Sequence, residues 1–203
     1  MSKSWRTERT DEQARRHIMR TRADIFPRVV QRAPRPGDGF ALDKRNIAAM
    51  FRFIESQYLY GVKRIELLAR KSEEVGNPYG SYLSDEAVVR LYSTPTDLWI
   101  FKTMPATSLH CKVLAGFGAT VEPVGEGSHV RWLNRKDLAR FLFVRVLAHE
   151  LGHHHDFQYK HKRPLKETAR AMEQSAETHI WHMRASSVFY TAELRGLLSY
   201  GGQ

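Results

Sequence analysis

Asn134-Arg135-Lys136-Asp137-Leu138-Ala139-Arg140-Phe141-Leu142-Phe143-Val144-Arg145-Val146-Leu147-Ala148-His149-Glu150-Leu151-Gly152-His153 is the stretch on which the reading of this chain turns. It predicts a helix. Asn134 is a good N-cap, and Asp137 sets an acid in the first turn, beside unpaired backbone N–H groups and the positive helix end. Leu138, Phe141, Leu142, Arg145, Leu147 and Leu151 then run along it, so its apolar side buries and fixes the rest. On a helix, residues four apart lie on one face, one turn apart, so His149 and His153 project side by side. Two imidazole nitrogens so placed can bind one Zn²⁺. Glu150, rotated about 100° round the axis, can reach water at the metal without binding the metal itself. Gly152 removes a side chain beside the site.

A catalytic zinc takes three protein ligands and keeps a place for water. The best third ligand is Glu173, 24 residues after His149, on the next expected helix, which opens at Pro164 and runs through Ala169, Met172, Ala176, Ile180 and Trp181. Glu167 and Glu177 compete for the role, and His155 or Asp156 could close a different site. Glu177, one turn beyond Glu173, is placed to hydrogen-bond a ligating histidine. Ala176 is small enough to let two helices approach.

His149-Glu150-Leu151-Gly152-His153 followed by Glu173-Gln174-Ser175-Ala176-Glu177 resembles the gluzincin clan of zinc metallopeptidases, and at this size most resembles its minimal members of the ImmA/IrrE type. The resemblance spans roughly residues 85–185 and is specific only at the two motifs. It implies Zn²⁺ held by His149, His153 and Glu173, Glu150 as general base, and Glu177 supporting His149. Glu177 stands where aspartate or asparagine is commoner in the clan. The resemblance further implies a sheet edge that aligns an extended peptide, which we place at Gly116–Val124. Oxyanion stabilisers are sought among Tyr159, His179, His182 and Tyr190. The long metzincin pattern needs a further Gly and His, but Asp156 and Tyr159 occupy those positions. Zn²⁺ in such a site polarises a carbonyl and acidifies water, and Glu150 carries the proton to the leaving amine.

Upstream, Asp43 reads as an N-cap. Ile47, Met50, Phe51, Ile54, Tyr58, Leu59, Val62, Ile65 and Leu68 predict a long amphipathic helix over 43–75, stopped at Gly76-Asn77-Pro78. Residues 87–133 predict a small, mainly antiparallel sheet, with strands near 87–92, 98–101, 109–115, 119–124 and 130–133 and turns between them. Trp99 and Trp132 read as core aromatics, Cys111 as an inert strand cysteine, and His110 and His129 as strand or loop residues. The fold class expected is α+β: the sheet packed against the His-Glu helix (metal-site helices 135–184), a further short helix at 187–198, and extra N-terminal helices.

Of the 203 residues, 42% are apolar, enough for a core in one domain. The net charge is +10, and residues 1–36 hold ten Lys/Arg against four Asp/Glu, a surplus of six. We therefore divide the chain into a basic arm or helix with a Pro/Gly linker (1–40, with a polar helix over 5–25) and a zincin-like domain (41–203). No apolar leader opens the sequence, no stretch near the motif is long enough to span a membrane, and Cys111 is the single cysteine. These features lead us to expect a cytoplasmic protein with no membrane partner. The leading expectation is a zinc-dependent endopeptidase acting on a protein or peptide. The alternative is a nucleic-acid-associated regulatory or mobile-element protein, in which the basic arm binds DNA and the zincin domain is a regulatory protease or structural module.

Overall fold

Arg64–Leu68 (β3) is the strand on which the first sheet is built, and its three central residues, Ile65, Glu66 and Leu67, are buried. It lies between Arg28–Gln31 (β1) and Val88–Tyr92 (β5), parallel to both. Gly80–Leu83 (β4) adds antiparallel to β5 as an edge, giving the order β1-β3-β5-β4. The computed structural model describes residues 26–71, 78–159 and 173–178. Within these the chain is α+β, with small antiparallel and mixed sheets and several helices.

This corrects the long helix expected over 43–75. Lys44–Met50 (α1) does start at Asp43, whose carboxylate accepts from the Asn46 N–H while the Asn46 side chain accepts from the Asp43 N–H. A 3-10 turn at Phe51–Phe53 then ends at Ile54, whose backbone is extended. Ser56–Leu59 (α2) is one turn, and Gly61 has φ +87°, a conformation that breaks any helix. The apolar residues from Val62 onward serve a strand buried between two parallel neighbours. Such a strand reads as a near-continuous apolar run and cannot be told from a buried helix by periodicity.

The segment taken as linker also enters the fold. β1 pairs with β3, and the Asp38–Gly39 strand (β2) pairs antiparallel with Thr94–Pro95 (β6). Asp38 is held by the Arg70 guanidinium at 2.7 Å and by the Ser93 hydroxyl at 2.8 Å. The expected helix over 5–25 lies outside the described residues.

The second sheet is antiparallel, with Gly127–Trp132 (β9) between Leu98–Phe101 (β7) and Ala119–Val124 (β8). Leu109–Gly116 (α3), expected as a strand, is a helix. Ser108 caps it by accepting from the Cys111 N–H, and Cys111 and Leu114, three apart, are its buried residues. Cys111 is thus a buried helix cysteine, with Sγ 3.3 Å from the Ser128 hydroxyl. Trp99 is fully buried and meets Tyr79, Trp132, Phe101 and Phe141 ring to ring. Trp132 packs partly buried against the same cluster.

Behind both sheets runs the helix that carries the motif. Asn134 caps Arg135–Phe141 (α4), accepting from the Asp137 N–H. Leu142–Leu147 continues it as a π-helical stretch, and Ala148–Tyr159 (α5) completes it without a break. No helix among the described residues is long and apolar enough to cross a membrane.

Glu66 shows how β3 tolerates a buried carboxylate. Arg64 Nε donates to it at 2.6 Å, and Arg90 Nε, from the facing register position on β5, at 3.0 Å. Burial works to raise its pKa, but the two guanidinium hydrogen bonds and charges outweigh burial and hold it below the usual carboxylate range. A lowered folded pKa stabilises the fold above the unfolded value, and that gain is lost as pH falls through the folded value. Glu66→Gln is therefore expected to cost about 1–3 kcal/mol near pH 7. The difference from wild type in urea unfolding should shrink below about pH 4. A gap that stays constant with pH would remove this account.

Candidate metal centre

The π-helical stretch sets the stage for the site. Its wide turns, closed by the Ala148 N–H on the Phe143 carbonyl, widen the continuous helix immediately before His149, and such π stretches recur at functional positions. Leu142, Phe143, Val144, Val146 and Leu147 are buried there, while Arg145 reaches out to Glu177 at 2.7 Å.

α5 then presents His149 and His153 together, their Nε2 atoms 3.0 Å apart. The second chain segment, helical at residues 173–178, brings Glu173 to them. Its carboxylate lies 3.0 Å from His149 Nε2 and 3.5 Å from His153 Nε2. Tetrahedral Zn²⁺, with bonds of about 2.0–2.1 Å, holds its ligand atoms roughly 3.3 Å apart. The two Nε2 atoms, with Glu173 Oε2 facing His149 and Oε1 facing His153, are spaced on that scale, so in both chemistry and spacing this donor triangle fits a zinc ion. Among the described residues they are the group of His, Cys, Asp or Glu side chains that could hold a metal.

Charge around His149 points the same way. Burial works to lower its pKa, but Glu177, Glu150 and Glu173 together outweigh burial and raise it. Its Nδ1 is buried without a well-formed hydrogen bond, with Glu177 Oε1 3.5 Å away. Glu177 is in turn held below the usual carboxylate range by His149 and then by Arg145. Glu177 thus lies beside the first histidine. Arg145, which anchors it, was missed, although an arginine inside an otherwise apolar helical run is a legible signal. Ala176 is fully buried, in keeping with a close approach of its segment.

Glu150 is 8% exposed. Burial pushes its carboxyl up to about 7; His149 opposes this, Glu173 adds to it, and the Tyr82 N–H opposes it through a hydrogen bond. Tyr82 belongs to β4. Tyr92 N–H donates to the Tyr79 carbonyl, so positions 79, 81 and 83 bond to β5 while Gly80 and Tyr82 turn their backbone groups away, toward the cleft. The sheet edge at the site is thus Gly80–Leu83 and not the expected Gly116–Val124, of which Gly116 ends α3 and Ala119–Val124 is an edge of the other sheet. The Tyr82 phenol donates to Nδ1 of fully buried His154, whose Nε2 in turn donates to the Tyr60 carbonyl at 2.8 Å. Burial brings His154 down to about 4, so it is neutral and can accept from the phenol.

A cavity of about 480 Å³ opens on this centre, walled by β4, α3 and the motif helix. Gly80 makes the approach possible: a Cβ there would lie 2.6 Å from Val146 Cγ1 and 3.3 Å from Glu150 Cγ. Gly80→Ala is expected to destabilise the fold by about 1–3 kcal/mol and to displace Glu150. Urea unfolding checks the first effect, and equal stability of the two proteins would disprove the crowding.

Of the other residues singled out, His155 stacks near Tyr58, with ring centroids 4.9 Å apart, and buried Asp156 lies on the same helix; neither joins the donor triangle. Tyr159 ends α5, but its side chain lies outside the described residues, as do Glu167, His179, His182, Tyr190 and the helix expected over 187–198; of the helix expected from Pro164, residues 173–178 are described and are helical. The structure instead places Tyr79 and His110 in the cavity. No protein-family model matches this chain, and no curated protein and no solved structure matches it.

Proposed function

We propose that this protein is a zinc-dependent metallohydrolase, an endopeptidase of the gluzincin kind. The observation that carries the reading is the triangle of His149, His153 and Glu173 with buried Glu150 beside it, at the foot of a cleft bordered by a sheet edge. His149, His153 and Glu173 are the residues that hold the metal. Bound zinc supplies Lewis acidity, polarising a carbonyl and acidifying water.

The protein's own groups do the rest. Glu150 removes a proton from the attacking water and passes it to the amine as the C–N bond breaks. Glu177, braced by Arg145, fixes the His149 ring through its second nitrogen. The outward backbone groups of Gly80 favour an extended peptide laid along β4, the geometry by which a sheet edge takes a further strand. An antiparallel edge strand beside a His-Glu helix, with a glutamate segment closing the site, supports the reading as a small zincin.

The test is to strip the full chain with a chelator, restore one equivalent of zinc, and incubate it with denatured casein and with quenched-fluorescent peptides. Cleavage inside the chain that requires zinc is the expected result. One-to-one zinc binding with no cleavage of any of these probes would leave a metal-binding module and overturn the enzyme reading.

A further inference from the structure

We propose that His110 is the hydrogen-bond donor that stabilises the oxyanion formed at the substrate carbonyl, with Tyr79 setting its tautomer; this rests on the hydrolase reading above. Both side chains line the cavity that holds His149 and Glu150, but they arrive from other elements. His110 is the second residue of α3, and Tyr79 immediately precedes the edge strand β4.

The geometry engages one ring nitrogen, Nε2, with Tyr79 and leaves Nδ1 for a ligand. Tyr79 Oη is 2.9 Å from His110 Nε2, and the two rings stack at 5.7 Å and 11°. Tyr79 is wedged in turn against Trp99 at 5.5 Å and edge-on against Phe141 at 5.4 Å, so the pair stands on a rigid aromatic base. Burial drives the phenol's pKa well above its usual range, so the phenol keeps its proton, and in this proposal it donates to Nε2, 2.9 Å away. Burial, and then the nearby Arg145 charge, holds His110 below its usual range, so the ring is neutral. A neutral imidazole that accepts at Nε2 carries its hydrogen on Nδ1. Nδ1 has no hydrogen-bond partner among the described residues. With the phenol as donor, the cleft holds a neutral Nδ1–H before substrate arrives, a preorganised donor of the kind that stabilises developing negative charge.

His110 gives up no proton in this role. Water forms the new C–O bond, the C–N bond breaks, and Glu150 moves the proton from water to the departing amine. His110 Nδ1–H lends a hydrogen bond to the carbonyl oxygen while that oxygen carries the charge.

Two measurements on the full chain test this. The first is the tautomer of His110 read from ¹⁵N-histidine NMR spectra. Nδ1–H is expected in the wild type, with a shift toward Nε2–H in Tyr79→Phe; Nε2–H in the wild type overturns the proposal whatever the protein's activity. The second compares wild type, Glu150→Gln and His110→Ala on a quenched-fluorescent peptide that the zinc-loaded wild type cleaves. His110→Ala should lose about 10²–10³-fold in kcat with little change in KM, at unchanged zinc content. An unchanged kcat, or an effect confined to KM, overturns the role of His110 while leaving the hydrolase intact. Absence of any Glu150-dependent cleavage removes the hydrolase reading, and this proposal with it. If His110→Ala fails to fold, the tautomers of wild type and Tyr79→Phe decide.

Discussion

Zinc-loaded Glu150→Gln should hydrolyse peptides about 10²–10⁴-fold more slowly than wild type, the range for losing a positioned general base. The substitution is nearly isosteric, and the amide oxygen can still accept from the Tyr82 N–H that now holds the carboxylate. The donor triangle is untouched, so zinc content should stay at one equivalent. Stability should hold or rise, because a carboxyl that resists ionisation when buried is replaced by a group that never ionises. The combination of lost rate, retained metal and retained fold separates chemistry from architecture. Equal rates for the two proteins would remove Glu150 from the mechanism.

Removal of a metal donor should produce the second large effect. His149→Ala and His153→Ala each leave two of the three donors, and zinc affinity should fall by at least 100-fold, beyond the 10–100-fold typical of outer contacts such as Glu177. Glu173→Ala should fall in the same class despite its position on a separate, more exposed segment. Competition against a zinc indicator at pH 7 measures all three. Unchanged zinc binding in Glu173→Ala would mean that the third donor is another residue.

The parts of this molecule that were legible from sequence are those decided within one turn of chain. Asp43 and Asn134 cap helix starts where expected, although the helix after Asp43 ends at Met50, because each cap needs only the backbone three residues on. The side-by-side placing of His149 and His153 was legible for the same reason, since i, i+4 spacing is a local rule, whereas Glu173 reaches them from a separate helical segment.

What was not legible depends on partners distant in sequence. Val62 to Leu68 has apolar spacing that a helix satisfies as well as a strand, and the choice falls to β1 and β5, which bury it on both sides. Leu109 to Ala115 is apolar enough for a strand, but Ser108 caps a helix there and Cys111 and Leu114 bury its inner side. The same limit hid Tyr79, Tyr82 and His110 from the site, since nothing adjacent to them in sequence reveals which wall of the cleft they join.

The hydrogen bonds of His154 carry a consequence for how the centre comes into being. They join the motif helix to Tyr82, 72 residues earlier, and to Tyr60, 94 residues earlier. Contacts of such separation are entropically costly to close and form only as the chain as a whole condenses. A peptide cut around residues 134–178 would keep the two histidines and both glutamates yet lack the strand that orients Glu150 and the residues that bury it. The arrangement around His149 and Glu150 is thus a product of complete folding, and an opened or half-folded chain has no edge strand to hold the Glu150 carboxylate.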